Sequence, residues 1–262
     1  MKTPLRDVVD FKSLQILKQL IPQKSIVSSF LLYSGAVELN LSFADRFVIA
    51  HTNRSVVYEF WKCIESAPDY VARQSKYFFD NIFQDDSDIF SVESLFEYLQ
   101  KSWTMVGDDP FTRASYFFLL NRCSESALIS SGELNLKYVN PLAFSTLRNI
   151  KLKNLHIQFD KDEDFIDAIG REEKSDYLLF PVGVYKHNLF KKVKAAGCET
   201  TQVHHKKLYE NLSKQDKKWI VLYKNHTSVF DLYKNYNITM VDKYGRQTIK
   251  KDKCEDIVIA NF

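Results

Sequence analysis

Tyr177-Leu178-Leu179-Phe180-Pro181-Val182-Gly183-Val184-Tyr185 is an apolar run that reads as a buried strand passing into a Pro/Gly turn. It follows a charged segment, residues 160–176. In an open α/β sheet the crevice beyond a strand's carboxyl end is where ligands bind. Here that position holds no acid, histidine, cysteine or serine. The stretch therefore predicts a site from which the chemical groups are missing.

Working outward, strands and helices alternate on both sides. Towards the N-terminus, residues 11–20 have apolar residues at helical spacing, stopped by Pro22. Residues 25–33 read as a buried strand with Ser34-Gly35 as its turn, and residues 36–41 as the start of a helix. A second strand at residues 46–50 ends in His51-Thr52-Asn53, and Ser55 is placed to begin a helix through Ile64. Strand, turn, strand, turn, helix is the spacing of an α/β nucleotide-binding half.

The middle is helical. Residues 69–83, 92–103 and 112–129 show apolar residues three and four apart, and no strong strand interrupts them. The acidic connection at residues 84–88 lacks the alternating ligands and distal Glu of a calcium loop, and Ser130-Ser131-Gly132 breaks the third helix. Alternation then returns: strands at residues 155–159, 177–182 and 219–223, helices at 163–169, 206–212 and 229–236, and a closing strand pair at 238–241 and 256–260. The ribbon joining that pair contains Tyr244-Gly245-Arg246 and Lys250-Lys251-Asp252-Lys253. The expected organisation is an α/β domain from residues 1–66 and 150–262, with residues 67–149 as an inserted helical lobe.

Composition narrows the classes. With 45% hydrophobic and 14% aromatic residues the chain can bury a large core. Seven glycines are too few for fingerprints that need several close backbone approaches to a cofactor. Cys63, Cys123, Cys198 and Cys254 form no CxxC pair, which predicts buried free thiols in a reducing compartment. Arg6, Asp7, Asp10 and Lys12 interrupt any leader-like apolar run, and no eighteen-residue apolar segment exists. An intracellular, cytoplasmic protein without a membrane span is expected. Charge is uneven: residues 183–262 hold 16 Lys and Arg against 8 Asp and Glu, whereas the remainder is net acidic. Such a basic third is either a nucleic-acid face or a set of solvated lysines.

The order of the pieces brings in a family. Arg113-Ala114-Ser115-Tyr116-Phe117-Phe118-Leu119-Leu120-Asn121-Arg122 is similar to an Arg-Ala-Ser…Leu-Asn-Arg helix of the Dam-type DNA N6-adenine methyltransferases. Residues 30–40 resemble that family's first cofactor motif, and Ala50-His51-Thr52-Asn53 its following strand end. Residues 219–226 and 254–262 resemble its late and terminal strands. The resemblance is collinear over most of the chain. It implies a Rossmann-like S-adenosylmethionine-dependent methyltransferase fold, a mixed sheet flanked by helices, with DNA as a partner.

The departures fall on the residues that do the family's chemistry. Its Asp-Pro-Pro-Tyr loop holds a flipped adenine, the acid accepting from the exocyclic amine. Phe180-Pro181-Val182-Gly183 stand there, and a phenyl ring accepts no such bond. A register shift to Val182-Gly183-Val184-Tyr185 recovers a tyrosine but no acid. In the cofactor turn the first glycine aligns with Tyr33, the second is kept as Gly35, and the ribose-binding acid aligns with His51. The N-terminal Trp-Ala-Gly-Gly-Lys element has no counterpart in residues 1–20. The resemblance therefore implies a lapsed enzyme with no cofactor, a virus-encoded or subunit-type component acting by binding. An active enzyme using S-adenosylmethionine through divergent motifs, and a scaffold for a protein partner or a second copy of the chain, are the alternatives.

The nucleic-acid candidates are Arg113, Asn121, Arg122, Lys191, Lys192, Lys194, Arg246, Lys250 and Lys251, since phosphate contacts need only cations and amides. Asn121-Arg122 reads equally as a phosphate contact and as a pair that pins the lobe by internal hydrogen bonds. His204-His205 with Cys198 is expected to be solvated, not metal-binding. His51 has no nucleophile near it in sequence.

Overall fold

The computed structural model describes residues 3–84, 92–129, 134–161, 164–185 and 203–262. Among them the strands are β1 (Ile26–Ser29), β2 (Phe47–Thr52), β3 (Leu155–Phe159), β4 (Tyr177–Gly183), β5 (Lys218–Lys224), β6 (Asn237–Asp242), β7 (Gln247–Thr248) and β8 (Cys254–Ala260). They form one sheet in the order β3-β2-β1-β4-β5-β8-β6-β7. The first five run parallel, and β8 lies antiparallel between β5 and β6. This is a mixed α/β fold with a central sheet flanked by helices. The direction of strand succession reverses between β1 and β4, a topological switch point.

Alternation along the strands assigns the two faces. Tyr177, Leu179, Ile220, Leu222, Val258 and Ala260 join one core with helices α1 (Leu14–Leu20), α2 (Ala36–Phe43), α3 (Ser55–Ser66), α4 (Pro68–Gln84), α5 (Val92–Met105), α6 (Pro110–Cys123) and α7 (Pro141–Arg148). Leu178, Phe180, Trp219, Val221, Tyr223, Ile257 and Ile259 face a second core with α8 (Phe165–Arg171), α9 (His205–Leu212) and α10 (Thr227–Leu232). The core is continuous from the sheet through Phe60 and Trp61 of α3 to Phe117 and Phe118 of α6. The middle helices are therefore packed on the sheet's own covering layer.

Several expected elements change length. The strand expected at residues 25–33 stops at Ser29, because Leu31 takes a left-handed φ of 73°. The helix expected over 112–129 runs from Pro110 to Cys123, with the Asp109 side chain accepting from the Phe111 N–H and Pro at its first turn. Helix α7, capped by Asn140 at the Ala143 N–H, was not anticipated in the sequence reading. The strand expected at residues 177–182 is β4, one residue longer, so residues 180–183, where the resemblance placed a target-base loop, are its last part; pairing with β5 shifts register between Pro181 and Gly183. A proline without an N–H is tolerated in an inner strand at such an irregularity. The acidic connection at residues 85–88, Ser130-Ser131-Gly132 and Cys198 lie outside the described residues.

Residues 3–13 form an extended strap across the carboxyl ends of the parallel strands. Leu5 is buried, and Val9 packs on Gly183 at the end of β4. The strap leads into α1, a helix of seven residues that is too short to hold itself. Its start is held by the fully buried Asp256 carboxylate, which accepts from the Lys12 N–H and from the Ser13 N–H at 2.9 Å. Lys224 of β5 donates to the same carboxylate at 2.6 Å. Its other end is closed by the buried Arg46, whose guanidinium donates to the carbonyls of Lys18 and Ile21. Asp256→Ala would strand two N–H groups and an ammonium, and is expected to lower the unfolding free energy by about 3 kcal/mol in urea titrations.

Candidate functional site

The candidate site is the row of carboxyl ends of the parallel strands, on the face covered by α8–α10. Phe30 follows β1, His51 lies near the end of β2 and Phe180 lies in β4. Their rings form a stack, with Phe30 4.5 Å from His51 and 5.1 Å from Phe180, near parallel to both. Phe30 and Phe180 are fully buried. The stack occupies the face covered by α8–α10.

His51 is also held at its edges. Nδ1 is 3.1 Å from Asp160, which follows β3, and Nε2 is 3.5 Å from Glu172, which follows α8. All three side chains are nearly buried. Glu172 also accepts from the N–H groups of Lys174 and Ser175, so it caps its own turn as well as facing the imidazole. Sequence reading missed both partners. Their only signal was that an acid ends the strand beside His51 and another follows the next helix.

The cofactor-like turn takes an unexpected course. The Tyr33 side chain leaves the turn towards α6, donating its hydroxyl to the Ala127 carbonyl at 2.6 Å. Its own carbonyl accepts from Trp61 Nε1 at 2.8 Å. Gly35 has φ 71°, and a Cβ there would lie 2.6 Å from the Trp61 ring. Glycine is thus required by a tryptophan of the protein itself.

Two carboxyl groups lie under the strap. Asp7 accepts from the Ser34 hydroxyl, and Thr3 donates to the Ser34 carbonyl. Burial pushes Asp7 up to about 7 against the lowering effect of Ser34, with Glu38 and Asp10 adding to the rise. Glu38, buried in α2, accepts from Ser29 at 2.7 Å, and burial raises it too.

The nucleic-acid candidates divide into three groups. Arg113 forks onto Glu59 of α3 and donates to the Gly107 carbonyl. Asn121 is fully buried, accepts from the Arg6 N–H at 2.7 Å and donates to the Ala127 carbonyl at 2.7 Å. Arg122 donates to the Pro4 carbonyl at 2.8 Å. These three bind the strap and α3; for Asn121 and Arg122 that is the pinning role the sequence equally allowed, and Asn121 does not reach solvent. An asparagine inside an apolar helix was the readable sign of a buried hydrogen-bonding role. Arg246, Lys250 and Lys251 lie on the excursion between β6 and β8, where Lys250 and Lys251 are exposed. Lys191, Lys192 and Lys194 lie outside the described residues.

No group of three or more His, Cys, Asp or Glu among the described residues is placed to hold a metal ion. Cys63, Cys123 and Cys254 are buried free thiols, and burial pushes Cys63 up to about 11 and Cys123 up to about 12. Both are poor nucleophiles. Among the described residues no helix is long and apolar enough to cross a membrane.

No family model matches the chain, and no curated protein is found to match it.

Two outcomes test the site. Phe180→Ala empties the end of a buried ring stack and is expected to lower the unfolding free energy by about 3–5 kcal/mol in denaturant titrations. Asp7 gives a pH signature. Its folded value near 7 lies above the ordinary 3.8. Between these the folded chain holds a proton that the unfolded chain does not, so stability falls as pH rises from about 4 to about 7. Thermal unfolding of Asp7→Asn across that window should show a flatter profile, the remaining slope belonging to Glu38.

Proposed function

We propose that the chain is a methyltransferase-like scaffold whose transfer site has been filled from within, and whose work is binding, with nucleic acid as the partner class. The observation that carries this reading is the His51–Phe30–Phe180 stack at the carboxyl ends of β2, β1 and β4. In the Dam-type family that chain order resembles, this edge takes a nucleoside-bearing methyl donor and a flipped adenine. Both need acceptors: one for ribose hydroxyls, one for the exocyclic amine. His51 replaces the first acid; its Nδ1 is engaged by Asp160, and its Nε2 faces Glu172 at 3.5 Å without a hydrogen bond. Phe180 replaces the second and offers only a buried phenyl face.

The sheet adds support. Five parallel strands with a reversed β8 inserted beside β5 suit the mixed sheet that a methyltransferase-like chain requires. The strap adds to it, because Val9 and Asp7 cover the ends of β4 and β1. Loss of the reaction leaves phosphate binding intact in principle, since cations and backbone amides are sufficient for it. The excess of Lys and Arg in residues 183–262 supports nucleic acid as the class of partner.

Calorimetry separates this reading from an active enzyme. Titration with S-adenosylmethionine should give no submillimolar binding, and such binding would overturn the filled-site reading. The second measurement is nucleic-acid affinity against salt. A basic face should bind at low ionic strength and lose affinity steeply as salt rises. Absence of binding at low salt would leave a protein-interaction scaffold.

A further inference from the structure

The excursion at residues 242–253 includes β7, which pairs with β6 at the sheet's edge, and its tip is closed by hydrogen bonds. Asp242-Lys243-Tyr244-Gly245-Arg246 closes with Gly245 N–H to the Asp242 carbonyl at 2.9 Å and Asp242 N–H to the Arg246 carbonyl at 2.8 Å. The Asp242 carboxylate accepts from the N–H groups of Tyr244 and Arg246 at 2.8 and 3.0 Å. Gly245 has φ 79°, and a Cβ there would lie 2.8 Å from the Lys12 carbonyl oxygen. The tip is thus seated on the strap, which Asp256 holds in turn.

This fixed turn presents its aromatic ring to water. Tyr244 is 71% exposed and Ile249 89% exposed. The Lys243 ammonium is 5.0 Å and the Arg246 guanidinium 5.9 Å from the Tyr244 ring centre. Among the described residues Lys243, Arg246, Lys250 and Lys253 make no ion pair. A preorganised ring between cations that make no salt bridge, with only Asp242 close by as a counter-charge, suits a ligand carrying stackable faces and regularly spaced negative charge. That description fits a nucleic-acid strand with unpaired bases. In a duplex each base face is covered by its neighbours, so the ring would find a partner only on a flipped base. An acidic peptide would answer the cations and leave the ring face unused.

We propose that the 242–253 hairpin is a contact for single-stranded nucleic acid. Tyr244 stacks on a base, while Lys243, Arg246 and Lys250 take the adjoining phosphates. This rests on the reading that the chain binds nucleic acid, and it names the form of that ligand.

Fluorescence anisotropy of the full chain with a labelled oligothymidylate of about sixteen nucleotides, and with a duplex of equal length, tests it. The single strand should bind more tightly than the duplex. Tyr244→Leu, which keeps an apolar group without a stacking face, should weaken binding by about tenfold. Tyr244→Trp should retain it, which also excludes misfolding as the cause. Lys243→Ala with Arg246→Ala should flatten the log–log salt slope by about 1.4. Single-strand binding that Tyr244→Leu leaves unchanged, or a preference for the duplex, overturns this assignment and leaves the wider reading standing. No binding of either at low salt overturns both.

Discussion

A carboxylate buried without water must be fully hydrogen-bonded, because each unpaired lone pair in such a site costs several kcal/mol. Asp256 meets that condition with three donors from two elements: two backbone N–H groups at the start of α1 and the ammonium of Lys224 in β5. Its bonds place the strap, and the strap places much else. Seated there, Arg6 reaches Asn121, Asp7 reaches Ser34, and Val9 lies on Gly183. The Lys12 carbonyl also supports the tip of the 242–253 hairpin. One charge thereby organises both the cover over the strand ends and the surface beside it.

At the strand ends, aromatic packing takes the place of polar chemistry. Stacked ring pairs add about 0.5–1.5 kcal/mol beyond their buried area. The His51–Phe30–Phe180 stack therefore stabilises the filled arrangement and disfavours reopening it. Around Tyr223 and Tyr233 the same face continues as a field of rings, with Tyr185 stacked against both His205 and His226. Burial raises both phenols, so these hydroxyls stay protonated.

The strands were legible because apolar runs such as residues 177–182 and 219–223 carry their signal locally. Their order was not, since nothing within residues 254–260 says that they enter between β5 and β6. The burial of Phe180 followed from its place in an apolar strand. The route of Tyr33 did not, because the turn's strain is taken by Leu31 and the ring is drawn off by a carbonyl 94 residues away. Arg113 and Arg122 looked like surface cations because their partners, Glu59 and the Pro4 carbonyl, are distant in sequence. The strap was obscured for a related reason. Its charges register in the sequence only as breaks in a leader-like apolar run, whereas Arg6 and Asp7 are used inside and Leu5 is buried.

The link from Lys12 and Ser13 to Asp256 spans more than 240 residues. Contacts so remote in sequence close late, since the entropy of the intervening loop opposes them until the rest has formed. During synthesis the end of the strap at Lys12 and Ser13 lacks its carboxylate anchor before Asp256 has left the ribosome. Until then Ile16 and Leu17 of α1, buried in the finished fold, have no fixed helix start behind them, and this apolar face is accessible to chaperones and to aggregation.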